Sequence, residues 1–410
     1  MAVKRKDLKG HVLRDGETHR KSDGRYMYRY YSADGKRHSV YATDLNELRA
    51  KEEKIQEDLR KGIRVGEDQI TLNQMYAIWK RNKRGLKETT RGNYMYMYEH
   101  FIEPEFGKRK LKEIRKSNIL ELYNGLLDKK KMKVTTLDNI HTVLHQVFDA
   151  AVDDSYISKN PTNGVMGKCK RVHNIDIQKR HALTIPQQTA FIQYISTTET
   201  YQHWLPLFTF FLGTGCRVSE VVGLRWQDVN MDKGYIEINH NMVYYQREKK
   251  KCYFSITTPK TEAGNRIIPM LSEVREALKN ERKYQFKQGI RCNATIDGYT
   301  DFIFLNRYGM PHNPQTINRT IKRITLNYNE LEMERAEVEN RAPILLPNFS
   351  CHNLRHTFCT RYCENETNLK VIQDIMGHKD IATTMEIYAE ATSDAKIKSF
   401  GNLEGKIKIS

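Results

Sequence analysis

The chain has 410 residues, too many for one ordinary hydrophobic core and suited to two or three domains. Its 68 Lys and Arg against 50 Asp and Glu leave a formal charge of +18, spread along the whole chain, which points to a nucleic acid partner and away from a single amphipathic membrane anchor. The longest strongly apolar stretch, Trp204 to Leu212, falls well short of the roughly 20 residues that span a bilayer, no export signal follows Lys4, Arg5 and Lys6, and seven cysteines without a CxxC pair imply no disulfide framework, so a cytoplasmic protein is expected.

In chain order, Arg25–Tyr31 and Lys36–Tyr41 predict two strands of a hairpin around Ala33-Asp34-Gly35, followed by a helix capped by Thr43 or Asp44 and ended by Gly62. Through residue 43 there are eleven basic residues against five acids. Tyr26, Tyr28 and Tyr30 share one face of the hairpin while Arg25, Met27 and Arg29 share the other, and the alternation leaves open which face is core. A β-ribbon fits the DNA major groove, so Arg25, Arg29, Lys36 and Arg37 are candidate DNA contacts, with a merely solvated basic face as the alternative. From about Thr71 the apolar period becomes helical, and residues 70–155 predict an all-helical bundle of about four helices, one capped by Ser117. Lys80, Arg81, Lys83, Arg84 and Arg91 are its candidate phosphate contacts. Asn160-Pro161 closes the bundle, and the basic segment Gly167 to Lys179 predicts a linker.

A third domain opens with helices, one of them the buried stretch ending in Leu212. It passes through strand signals at Tyr235–Ile238, Tyr253–Thr257 and Arg266–Pro269, and returns to helices, with the charged stretch 329–341 expected to form an exposed insertion. Chemistry-bearing residues concentrate here. Gly213-Thr214-Gly215 sets Arg217 at the start of the next helix, where its guanidinium can meet an anion, and Glu220 one turn on can hold that guanidinium in one orientation. His352 and Arg355 are three apart on one predicted helix face. Gly377 closes the helix Leu369–Met376 and leaves His378 in a turn, after which a short helix presents Tyr388. Two arginines and two histidines can meet the charge that develops on a phosphodiester without a metal, and a tyrosine oxygen can keep the energy of the broken bond in a phosphotyrosine; Lys260, on a turn, can protonate the leaving oxygen. His352, His356, Cys359 and Cys363 have helical spacing, yet four ligands on one helix cannot close a tetrahedron around one ion, so His356, Cys359 and Cys363 are expected to face the core; neither a metal nor any other cofactor is expected.

At Arg217, Lys260, His352, Arg355, His378 and Tyr388, in that order, the chain resembles the tyrosine recombinase family, and most nearly its integrases of conjugative transposons. Tyr388 lies ten positions after His378, one more than is common in the Xer branch of the family. The resemblance implies a multidomain, mainly α fold with α+β parts. Its parts would be an arm-type DNA-binding domain at 1–66 with a three-stranded sheet and a helix, an all-helical core-site-binding domain at 67–168, and a mixed α/β catalytic domain at 179–392. A tail, 393–410, would dock on a neighbouring protomer. It further implies a site-specific recombinase that integrates and excises a mobile element. Tyr388 would form a 3′-phosphotyrosine, Arg217 and Arg355 would clamp the phosphate, and His378 would stabilise the transition state. His352 would assist proton transfer, Lys260 would be the general acid, and strand exchange would run through a Holliday junction in a homo-tetramer on double-stranded DNA, with an excisionase and a host DNA-bending protein as possible partners. A DNA-binding regulator would explain the charge without needing these six residues together, and a type IB topoisomerase would share the tyrosine chemistry but relax DNA as a monomer.

Overall fold

The structure, a computed structural model, describes residues 5–32, 35–65, 69–172, 181–248, 251–259 and 262–391. Lys260 and the tail 393–410 lie outside the described residues. The chain divides into two compact units, Met1–Ile177 and Gln178–Ser410.

The first unit opens with an antiparallel sheet, β1 (Glu17–His19), β2 (Tyr26–Tyr31) and β3 (Arg37–Ala42), in that spatial order, with Tyr28 opposite both Glu17 and Val40. Tyr26, Tyr28 and Tyr30 of β2 are buried with Leu45, Leu48 and Ile55 of α1 (Leu45–Arg60), while on the other face Arg25 and Arg29 are exposed and Met27 between them is buried outside that cluster. Of the two candidate caps it is Asp44 that serves, accepting from the backbone of Asn46 and Glu47. The bundle follows: α2 (Leu72–Asn82), α3 (Glu88–Met97), which continues through a π-turn into α4 (Glu103–Phe106), then α5 (Lys116–Asp128), α6 (Val134–Asp153) and α7 (Val165–Val172). Two findings correct the sequence reading. Ser117 is no cap, because α5 begins at Lys116 behind Arg115. The first part of the expected linker, through Val172, is helical, with Val165, Met166 and Cys169 buried on one face and Lys168, Lys170 and Arg171 on the other; its remainder, 173–179, lies outside the described residues. Sheet and bundle have separate apolar cores but share one unit, joined by polar contacts such as the 3.0 Å pair of Lys112 with Asp58 and the 2.8 Å bond from the Arg64 backbone N–H to the Ser155 carbonyl.

The second unit begins with α8 (Ile185–Thr197), closed at its start by a reciprocal Thr184–Gln187 capping box. Then come α9 (Leu205–Thr214), α10 (Val218–Gly223), β4 (Val229–Asn230), β5 (Tyr235–Ile238), the hairpin of β6 (Asn241–Glu248) and β7 (Lys251–Thr257), and β8 (Arg266–Pro269). Strands β4, β5 and β8 form one antiparallel sheet in that order. The separate hairpin is pinned to the body by Asp297, whose Oδ2 accepts from Ser255 Oγ and the Ile256 N–H, each at 2.8 Å. Among the described residues five helices follow: α11 (Ser272–Gln288), α12 (Pro314–Val338), α13 (Cys351–Asn365), α14 (Leu369–Met376) and α15 (Ile381–Ala391). The stretch 329–341 is exposed, as expected, except at Asn329, Glu332 and Ala336, but through Val338 it forms the last turns of α12, and Arg341 folds back on Glu332 with Nη2 to Oε2 at 3.1 Å. Its charge density hid a two-residue apolar and ion-paired stripe that keeps the helix going. Among the described residues no helix is long and apolar enough to cross a membrane.

Among the described residues of this unit, one acid is buried without a cation beside it. Glu281 of α11 is 4% exposed and accepts from Gln285 Nε2 at 2.7 Å; burial pushes its pKa up to about 7, against which that hydrogen bond works. Because the folded value lies above the ordinary 4.5, the group's contribution to stability is complete below about pH 4.5 and is lost as pH rises through 7. Glu281→Gln should therefore melt higher than the wild type at pH 8, by up to about 3 kcal/mol in unfolding free energy, and show no such advantage at pH 5. Thermal melts of both proteins at the two pH values check this.

Candidate active site

The site is built on α9, whose Phe208, Phe210 and Phe211 are wholly buried and make it a rigid support. It ends at Gly215, which has φ +61°, a left-handed conformation that only glycine adopts at little cost; a Cβ there would also stand 2.3 Å from Phe358 Cδ1. The reversal leaves Arg217 at the N-cap of α10 in extended conformation. One turn on, the Glu220 carboxylate is buried and wrapped by donors. Oε2 accepts from the Arg217 backbone N–H and from Arg266 Nη2, both at 2.8 Å, and Oε1 from Arg217 Nη1 at 2.9 Å and Arg266 Nη1 at 3.1 Å. Burial by itself would raise the Glu220 pKa; the Arg266 hydrogen bonds and the charges of Arg266 and Arg217 outweigh it and hold the group at about 2.

Three arginines from three elements converge on the end of α14. Arg266 Nε donates to the Ile375 carbonyl at 2.7 Å, Arg355 Nη2 to that of Met376 at 2.6 Å, and Arg217 Nη2 to that of Gly377 at 2.8 Å. These are consecutive carbonyls at the negative end of a helix, where backbone acceptors lack helical partners. Arg355, only 4% exposed, also donates Nη1 to the Gly215 carbonyl at 2.7 Å, so the two glycine turns are tied together by one side chain. Burial, then the neighbouring Arg217 charge, pull its pKa down to about 10, which leaves it charged at neutral pH.

His378 follows the Gly377 turn. It is buried, its Nδ1 lies 3.0 Å from Thr384 Oγ1, and its backbone N–H donates to the Gln373 carbonyl. Burial first, and then the charges of Arg355, Arg217, Arg266 and His352, push its pKa down to about 3. The imidazole is therefore neutral, and where the Thr384 hydroxyl donates to Nδ1 the remaining proton sits on Nε2, free to be given to an anion. His352 is exposed on α13, one turn before Arg355, and Tyr388 is half-buried on α15, packed with Ile387 against Cys359, Cys363, Ile372 and Met376. Lys260 lies outside the described residues. Cys359 and Cys363 are core residues and His356 is half-buried; among the described residues no three His, Cys, Asp or Glu side chains are grouped to hold a metal ion.

Three guanidinium groups against one carboxylate leave this cluster net positive, with a neutral imidazole beside it. Such an arrangement binds an anion and lowers the energy of charge developing on a phosphoryl group. Two contributors were not singled out in the sequence. Arg266 reads there only as the polar first residue of a strand before Ile267 and Ile268, and Thr384 as one threonine among others in a short helix. In the first unit the basic candidates divide by exposure: Arg25, Arg29, Lys36, Arg37, Arg81, Lys83, Arg84 and Arg91 are exposed, and Lys80 is half-buried with its ammonium over the Tyr76 ring.

Comparison with known proteins gives three family matches: the phage integrase family over residues 182–394, the DNA binding domain of tn916 integrase over residues 1–59, and the phage integrase N-terminal SAM-like domain over residues 71–127. The transposase from transposon Tn1545 of Streptococcus pneumoniae is 30% identical over 98% of this chain and 97% of its own length, and the transposase from transposon Tn916 of Enterococcus faecalis gives the same figures. Among solved structures, the Tn1549 transposon integrase in complex with transposon right end DNA is 28% identical, covers 82% of this chain and 100% of its own, and has a TM-score of 0.69. A lambda integrase tetramer bound to a Holliday junction, at 17% identity and a TM-score of 0.53 over 92% of this chain and 97% of its own, shares the fold.

The Glu220 carboxylate holds the cluster together electrostatically, so Glu220→Ala, which leaves the buried Arg266 uncompensated, should lower the unfolding free energy by about 3–5 kcal/mol in urea titrations. The folded pKa lies below the ordinary 4.5, so the stabilisation is present above about pH 4.5 and is lost as pH falls toward 2. Glu220→Gln should lack that acid limb.

Proposed function

Since this chain belongs to the phage integrase family, and within these tyrosine recombinases resembles the integrases of conjugative transposons, we propose that it is a site-specific recombinase that integrates and excises a mobile DNA element. The observation that carries the reading is the convergence of Arg217 and Arg355 on adjacent carbonyls beside a neutral His378, in the part of the chain that matches the family. In the reaction, Arg217 and Arg355 hold the non-bridging oxygens of the scissile phosphate, and His378 donates a hydrogen bond to the same group. The Tyr388 oxygen attacks phosphorus and loses its proton with help from His352. The bond to the 5′ oxygen breaks, and Lys260 supplies the proton that this oxygen takes up. The product is a 3′-phosphotyrosine and a free 5′ hydroxyl. The 5′ hydroxyl of the partner duplex then attacks that phosphotyrosine and releases Tyr388, so one phosphodiester is exchanged for another and neither ATP nor a metal is required. Exchange of both strand pairs proceeds through a Holliday junction in a homo-tetramer on the attachment sites, in the cytoplasm, with an excisionase and a host DNA-bending protein as further partners.

Residues 1–66 act as an arm-type DNA-binding domain, 67–168 as the core-site-binding domain, 179–392 as the catalytic domain, and 393–410 as the segment that docks on a neighbour. The exposed Arg25, Arg29, Lys36 and Arg37 contact arm DNA, and Lys80, Arg81, Lys83, Arg84 and Arg91 contact phosphates at the core site.

With nicked duplexes from the ends of the source element, wild-type protein in EDTA should form a covalent protein–DNA adduct and Tyr388→Phe should bind the same DNA without forming one. No wild-type adduct on DNA that it binds would turn the reading toward a regulator. For the arm face, Arg29→Ala and Arg37→Ala should each reduce the slope of log affinity against log salt by about 0.9 in gel-shift titrations with arm-site DNA.

A further inference from the structure

Arg266 stands at the first position of β8, opposite Ile238, with a side chain only 5% exposed. All five of its N–H donors have acceptors within the protein. Nε faces the Ile375 carbonyl, Nη1 faces Glu220 Oε1 and, at 3.4 Å, the Gly264 carbonyl, and Nη2 faces Glu220 Oε2 and, at 4.0 Å, Cys216 Sγ. No donor remains for a phosphate. Arg217 differs: its side chain is 37% exposed, and its guanidinium reaches Glu220 and the Gly377 carbonyl with its two outer nitrogens. The turn before Arg266 is equally close-fitted, since a Cβ on Gly377 would meet the Ala263 carbonyl oxygen at 2.8 Å and Arg266 Nη1 at 3.1 Å.

We propose that Arg266 is a positioning residue for strand cleavage: by bridging Glu220 to the carbonyl end of α14 it holds Arg217 and His378 at one spacing, and ties both to the strand that follows the segment carrying Lys260. Stability alone does not account for it, because a buried arginine–carboxylate pair is commonly no more stabilising than apolar side chains of the same volume. What such a pair supplies is direction. Its planar fork fixes the carboxylate that orients Arg217, while its Nε fixes the helix end from which His378 projects. The sequence order adds to this: Lys260 precedes Arg266 by six positions, so the segment meant to deliver a proton leads directly into the residue that organises the phosphate clamp.

This inference rests on the reading of the site as a DNA-cleaving centre, and the test separates the two. Full-length wild type, Arg266→Lys and Arg266→Met are compared on the same nicked duplex for adduct formation rate at saturating protein, for DNA affinity by gel shift, and for melting temperature. Both variants should bind DNA within about threefold of wild type and form adduct about 100-fold more slowly, the scale of a misplaced reacting group. Lysine restores the charge but cannot reach Glu220 and the Ile375 carbonyl with one nitrogen, so it should not rescue the rate. Arg266→Met should also acquire an acid limb, its cleavage rate falling at a higher pH than that of wild type, because Glu220 loses its stronger partner and takes up a proton more readily. Cleavage by both variants at the wild-type rate would overturn the proposal, as would a rate loss matched by an equal loss of affinity or of melting temperature with no new pH dependence. If Arg266→Met does not fold, Arg266→Lys decides the matter, and failure of both to fold would make Arg266 a folding residue and overturn the positioning role. Absence of adduct with wild type on bound DNA would overturn the cleavage reading itself, and this inference with it.

Discussion

The carbonyl end of α14 is the constraint on which the rest of the second unit's candidate site depends. A helix ends with backbone oxygens that lack helical partners and carry its partial negative charge, and here three successive ones, of Ile375, Met376 and Gly377, are each met by a different guanidinium. The three arginines come from a helix start, a strand start and the middle of a helix, so the elements that carry them cannot shift independently. Neutral partners at these carbonyls would satisfy the hydrogen bonds but would not leave a surplus of positive charge. The surplus has a second effect on the next residue: together with burial it keeps His378 neutral, so that one ring nitrogen can accept, as from Thr384, while the other donates.

A cluster of three like charges would fly apart if nothing sat among them. Glu220 is that counter-charge, and its burial matters as much as its sign, because low surroundings polarity strengthens its attraction to Arg217 and Arg266 while the hydrogen bonds replace the lost water. The apolar walls are part of the same arrangement. α9 is buried along nearly its whole length, and Gly215 lets the chain reverse against Phe358 so that the Gly215 carbonyl lands within reach of Arg355. Packing thus sets distances and the carboxylate sets orientation, so the cations are gathered before any anion could arrive.

The N-terminal unit applies a simpler rule. Tyrosines on alternate positions of β2 cover α1, and their polar tips find partners, as when Tyr26 donates to Asp7 at 2.6 Å; the arginines are thereby left outward. Burial of Glu17 against Arg49 at 3.1 Å shows the same economy on the inner side, where an acid under the sheet is matched by a base from the helix. The sheet and the bundle then share one unit through polar contacts between their separate apolar cores.

Much of this was open to inspection in the amino-acid order. Helical and strand periods located most elements, and the glycine-bounded Arg217, the His352–Arg355 spacing and the pair of His378 with Tyr388 marked the candidate site and its family before any contact was known. These features are local: a period, a turn residue or a one-turn spacing is set by neighbours along the chain. Charged surfaces misled, because Lys168, Lys170 and Arg171 in α7 and the acids late in α12 mask the few apolar positions that keep those segments helical. Which face of β2 is core, that Arg266 and not solvent embraces Glu220, that Thr384 reaches His378, and that three arginines share one helix end were decided only by tertiary structure. Each of these joins residues far apart in the chain, Glu220 with Arg266 and Arg217 with Gly377, and a contact across such a distance depends on how whole elements pack, which no local pattern encodes.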